Sequence, residues 1–153
     1  EKIRKNPLFR ALRVDKLTIA ALAAPVTLYL RDDVKAIPAL RMIFMTREEL
    51  TERAQRLAEK LAGLKGFSVA LEEGESVVGG GSTPGHALPT TLVTVTHERI
   101  SVADLEAGLR RHSPPIIARI EGGRLLLDLR TVFDEQDVEI ARAFEELGGN
   151  DER

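Results

Sequence analysis

An α+β fold, with a mostly antiparallel sheet of about four strands and helices gathered on one of its faces, is what three observations predict for this 153-residue chain. Residues 67–73 and 90–97 are rich in alternating and β-branched positions, as strands are. Residues 116–130 hold two apolar runs joined by Gly122-Gly123, a two-residue hairpin turn. Between and around them, apolar residues recur every three to four positions at 46–64, 101–109 and 134–147, the spacing of helices with one buried face. Placing those helices together on one face of the sheet is the simplest way to bury their stripes. A long helix precedes all of this, so the expected division is residues 1–45 as helix and connector and 46–153 as a small domain.

The elements follow in order. Asn6-Pro7 is a helix start, with Asn capping free N–H groups and Pro at the first helical position. One helix is expected from Pro7 to Leu30, buried from Leu17 onward, with a kink or break at Pro25, which cannot donate to the preceding turn. Residues 31–45 read as a connector with a short apolar element. Thr46 and Glu49 form a capping box for a helix whose inward stripe is Leu50, Ala54, Leu57, Leu61 and Leu64, ended by Gly63 or Gly66. Phe67, Val69 and Leu71 face one way on the first strand. Ser101 caps a short helix with Val102, Leu105 and Leu109 inward. In the hairpin, the turn sets Glu121 opposite Arg124 and brings Ile116, Ala118 and Ile120 across from Leu129, Leu127 and Leu125. Asp134 is read as the cap of the last helix, with Val138, Ala141, Phe144 and Leu147 inward.

Composition removes several chemistries. There is no cysteine, so disulfides, thiol nucleophiles and thiolate metal sites are absent. No apolar run reaches the roughly 18 residues of a spanning helix, and with no visible signal peptide the cytoplasm is the expected compartment. The net charge of −2 argues against a generic polyanion binder, which needs a clustered positive field. The basic charge is at one end instead: residues 1–16 hold six Lys and Arg against Glu1 and Asp15, a local charge of +4. The chain starts mid-pattern at "EKIRKNP" without Met, and is expected to be part of a longer protein.

His86, His97 and His112 lie on different elements without a helical metal pair, and read as solvated or capping residues. The run Gly79-Gly80-Gly81 lacks the lysine of a P-loop and reads as a turn between strands, or as a small nest for an anion. Arg119 is explained by cross-strand pairing with Asp128 and Glu121. Arg10 and Arg13 are different, because positions three apart on a helix let two guanidiniums converge, and their forks suit phosphate or carboxylate oxygens. Two readings stand for them: solvated or paired with an acid such as Asp15, or holding one anion.

The segments "NPLFRALRVDKLTIAAL", "IPALRMIFMTREEL", "VGGGSTPGHALPT" and "PPIIARIEGGRLLLDLRTVFDEQD" together resemble, in order and over nearly the whole chain, the C-terminal part of the bacterial selenocysteine synthase family, the L-seryl-tRNA(Sec) selenium transferases. The resemblance implies a fold-type I pyridoxal phosphate enzyme that converts seryl-tRNA(Sec) to selenocysteyl-tRNA(Sec) with selenophosphate as donor. It implies that residues 1–45 end the large cofactor domain and that 46–153 form the small C-terminal domain. The cofactor lysine would lie upstream of this chain, which would be inactive alone. The family's arginine pair in R-A-L-R, which helps bind the anionic donor, falls on Arg10 and Arg13; Asp15, Lys16 and Thr18 continue the motif without assigned roles. The tRNA would be handled chiefly by other domains, and the full protein would be a homo-oligomer, a ring of dimers. Pro25 departs from the family pattern, as do Thr83 and His86 in the glycine-rich stretch. Related lyases acting on phosphorylated sugar acids would use such an arginine pair equally well, and a non-catalytic binding or oligomerisation module is the third reading.

Overall fold

The computed structural model describes residues 2–79 and 87–149. The chain divides into two compact units, residues 1–41 and 42–153. In chain order the helices are α1 (Lys2–Lys5), α2 (Pro7–Ala11), α3 (Lys16–Leu30), α4 (Pro38–Phe44), α5 (Arg47–Ala62), α6 (Val102–Arg111) and α7 (Asp137–Gly149). The strands are β1 (Phe67–Val77), β2 (Ala87–His97), β3 (Arg119–Glu121) and β4 (Arg124–Asp128).

In the second unit the four strands form one sheet in the order β1-β2-β4-β3, every neighbouring pair antiparallel. Registers such as Val69↔Val95 and Val95↔Leu125 put Phe67, Val69, Leu71, Val93, Val95, Leu125 and Leu127 on one face. That face packs with Leu50, Ala54, Leu57 and Leu61 of α5, Leu105 and Leu109 of α6, and Ile140, Ala141 and Phe144 of α7 in a single apolar cluster. The expected one-sided α+β architecture is therefore present. At roughly 1.5–3 kcal/mol per fully buried large apolar side chain, this cluster is the main source of the unit's stability.

Local chemistry accounts for the ends of these elements. Thr46 accepts from the Glu49 N–H at 3.2 Å while Glu49 accepts from the Thr46 N–H at 2.8 Å, the expected capping box of α5. Ser101 caps α6 through the Asp104 N–H at 3.1 Å. In the hairpin Gly122 and Gly123 have φ of 57° and 74°, backbone that glycine adopts without the Cβ clash other residues meet. Glu121 then pairs with Arg124 and Ile120 with Leu125, as expected.

Several expectations need correction. The helix predicted from Pro7 to Leu30 is two helices, interrupted at residues 12–15 because Asp15 leaves the helical path and caps a new start at Lys16. Helix α3 is not broken at Pro25 but continues to Leu30, although Pro25 has no N–H to donate to the preceding turn. Nor is α3 buried: no residue of α2 or α3 is, since α3 is apolar around its whole circumference and residues 1–41 supply no second layer broad enough to cover it. The first hairpin strand begins at Arg119 rather than Ile116, the Ile116 N–H donating instead to the Leu109 carbonyl at the end of α6 at 3.0 Å. Asp134 opens a short 3-10 turn, and α7 starts at Asp137. That offset leaves Val138 57% exposed.

Candidate functional site

The elbow between α2 and α3 carries the candidate pair. Asn6 starts α2 by accepting the Leu8 N–H at 3.0 Å, with Pro7 at the first position. Arg10 lies in the last turn of this five-residue helix, and Arg13 follows in the non-helical segment before α3. Their backbones meet, the Arg13 N–H donating to the Arg10 carbonyl at 3.4 Å. Both side chains are exposed, and among the described residues neither has an ion-pair partner.

Asp15, the acid nearest to Arg13 in sequence, is engaged elsewhere. Its Oδ1 accepts the Thr18 N–H at 2.8 Å and its Oδ2 accepts the Thr18 hydroxyl at 3.3 Å. The Thr18 N–H is the main reason the Asp15 carboxyl is held below its usual range. The negative charge of the motif thus sits on the N-terminus of α3, where it satisfies an otherwise free N–H and complements the helix dipole. It leaves the two guanidiniums uncompensated. Lys16 is the first residue of α3 and is exposed.

Two of the histidines singled out by sequence have structural partners. The His97 Nδ1 accepts the N–H groups of Arg99 and Ile100 at 3.2 and 3.1 Å, and its ring meets Phe67 edge-on at 4.5 Å. It lines a cleft of about 260 Å³ with Leu64, Gly66, Phe144 and Gly148. His112 closes α6, its Nδ1 donating to the Pro114 carbonyl at 3.1 Å and its Nε2 lying 3.6 Å from Glu146. No group of three or more His, Asp or Glu among the described residues could hold a metal ion. Arg119 does not pair with Asp128 as expected, because that carboxylate is taken by the hydroxyls of Ser76 at 2.6 Å and Thr90 at 2.9 Å. His86, Gly80 and Gly81 lie outside the described residues.

Two buried arginines escaped the sequence reading. Arg53, 4% exposed, donates to both carboxylate oxygens of Asp137 and to the carbonyls of Leu129, Val132 and Phe133. Arg130, 3% exposed, donates to Ser76 Oγ and to the carbonyls of Met42, Met45 and Pro89. Burial pushes its pKa down and the nearby Asp128 opposes the shift. With their donors occupied by the protein, both act as internal braces rather than ligand-binding groups. Arg53 was detectable in principle, since it lies on the Leu50–Leu57 stripe of α5 where a solvated charge does not belong.

The family model for L-seryl-tRNA selenium transferase matches residues 1–133. The chain belongs to this family. It is 43% identical over 97% of its length to an L-seryl-tRNA(Sec) selenium transferase of Clostridium perfringens, covering 33% of that protein. It is 40% identical over 96% of its length to the enzyme of that name from Aquifex aeolicus, covering 32%, and 44% identical over 94% to that from Alkaliphilus metalliredigens, covering 31%. The chain thus spans about a third of the length of these selenium transferases. The family match includes the whole elbow from Asn6 to Thr18 as well as the sheet, so the uncompensated arginine pair lies within the part of the chain the family defines.

Proposed function

We propose that this chain is part of a pyridoxal phosphate-dependent transferase that converts seryl-tRNA(Sec) to selenocysteyl-tRNA(Sec), and that Arg10 and Arg13 bind its anionic selenium donor, selenophosphate. The observation that carries this reading is the elbow: two guanidiniums three residues apart, exposed and without a carboxylate partner, while the neighbouring Asp15 is turned onto Thr18. Guanidinium forks hold phosphate oxygens through paired, charge-assisted hydrogen bonds. Two of them neutralise most of a dianion and fix its orientation, which is what presenting selenium to a seryl group requires. Residues 1–45 then end the large domain, and 46–153 are the small C-terminal domain.

Pyridoxal phosphate, held by the longer protein, would supply an electron sink. The residues described do not fit the cofactor's Schiff-base lysine. Such a lysine reacts in its neutral form, which burial favours, whereas Lys2, Lys5, Lys16, Lys35, Lys60 and Lys65 are all exposed. The reading therefore assigns that lysine to the longer protein. The apolar, unburied surface of α3, including Leu17, Leu22 and Tyr29, supports an assembled homo-oligomer in which other protein covers it. Cytoplasmic location follows from the tRNA substrate. Among the described residues no helix is long and apolar enough to cross a membrane. With a net charge of −2, the chain leaves most tRNA contacts to other domains.

The test is transfer of labelled selenium from selenophosphate to seryl-tRNA(Sec) by the full-length protein. Transfer supports the reading. Turnover confined to a free phosphorylated sugar acid would replace it with the lyase alternative.

A further inference from the structure

We propose that Asp15 is a positioning residue for the arginine pair, acting through its cap on Thr18 rather than through its charge on Arg13; the inference rests on the anion-binding reading above. The elbow at residues 12–15 has few restraints. On one side it is held by the Leu12 N–H donating to Leu8 at 2.9 Å, and on the other by Asp15, whose side chain takes the Thr18 N–H and whose carbonyl takes the Ile19 N–H at 3.2 Å. No residue from Pro7 to Thr18 is buried, so packing within the described residues does not fix Arg13. The cap defines where α3 starts and hence how many residues are free between Arg10 and the next rigid element. Without it the first turn of α3 frays, the elbow lengthens, and the backbone relation between Arg10 and Arg13 loosens.

The same contact keeps the motif electrostatically open. A carboxylate two residues from Arg13 would otherwise compete with an incoming anion, and its engagement with Thr18 removes that competition. Capping and ion pairing make opposite predictions. If Asp15 acts as a cap, Asp15→Asn, a comparably good cap without charge, preserves anion binding, and Asp15→Ala weakens it. If Asp15 acts as a competing ion pair, both substitutions strengthen it.

The experiment uses the full-length protein, with inorganic phosphate as calorimetric probe and selenophosphate in steady-state assays. Asp15→Ala is expected to weaken phosphate binding and raise the donor KM about fivefold, the factor typical of a lost cap, with kcat retained. Asp15→Asn is expected to stay within about twofold of the parent. Tighter binding in both variants, equal loss in both, or no change in Asp15→Ala would overturn the proposal. Arg13→Ala serves as the reference: if it binds phosphate as the parent does, the anion-binding reading itself fails. If Arg13→Ala weakens binding and Asp15→Ala does not, only the positioning role fails.

Discussion

Arg53 and Asp137 meet side-on, Nε to Oδ2 and Nη2 to Oδ1, both at 2.6 Å, and so tie the middle of α5 to the first turn of α7. The remaining donors of Arg53 take up three carbonyls of the segment between β4 and α7. Removing the guanidinium leaves a partly buried carboxylate and those carbonyls without their partner. Arg53→Met should therefore cost about 3–5 kcal/mol, the usual consequence of breaking a buried pair from one side. Urea unfolding of the chain measures it, and a loss below about 1 kcal/mol would mean that water replaces the network.

Arg130 performs the corresponding task on the other side of the sheet, holding the carbonyls of Met42 and Met45 near the end of α4 and that of Pro89 on β2. Lysine keeps the charge but has a single nitrogen and cannot span these acceptors and Ser76 at once. Arg130→Lys should lose about 2 kcal/mol. An unchanged unfolding midpoint would show that the fork geometry is dispensable.

Much of this domain was legible because its signals are local. The Thr46–Glu49 box, the Ser101 cap and the Gly122-Gly123 turn each need only a few neighbouring residues, and the alternation of Val69, Leu71, Val93 and Val95 decides which sheet face is buried. What escaped depends on competition or on distant partners. Asp15 and Thr18 can extend a helix or begin one, and their side-chain cap decides for beginning. Val138 fell out of the core because the start of α7 moved from Asp134 to Asp137. Arg53 stands out on the apolar stripe of α5, but its partners at residues 129–137 cannot be named from that helix alone. At the candidate site, spacing singled out Arg10 and Arg13 as neighbours on one helix, whereas Arg13 lies beyond the end of α2, and the diversion of Asp15 onto Thr18 was not readable.

The Asp15 cap carries a pH signature. Its carboxyl is held below the ordinary value of 3.8, chiefly by the Thr18 N–H. A depressed folded-state pKa means that the ionised form is favoured by the fold. The contribution is therefore fully present above the ordinary value and is lost as pH falls through the lowered one. The Asp15 side-chain carboxyl ¹³C shift should titrate with a midpoint below 3.8. A midpoint at or above that value would contradict the cap.

The assignment of the cofactor lysine to the longer protein predicts that this chain alone, incubated with pyridoxal phosphate and freed of excess, shows no visible absorption band that borohydride reduction fixes to one site. A stoichiometric band fixed to a single lysine would place the Schiff base on one of the exposed lysines and refute that assignment.

The central claim is that Arg10 and Arg13 hold the selenium donor. Its most direct test is the rate of selenium transfer by the full-length protein carrying Arg10→Ala together with Arg13→Ala, read beside its cofactor absorbance. The loss of two charge-assisted anion contacts should lower kcat/KM for selenophosphate at least about 100-fold while the cofactor band stays near that of the parent. Transfer at the parental rate would contradict the claim.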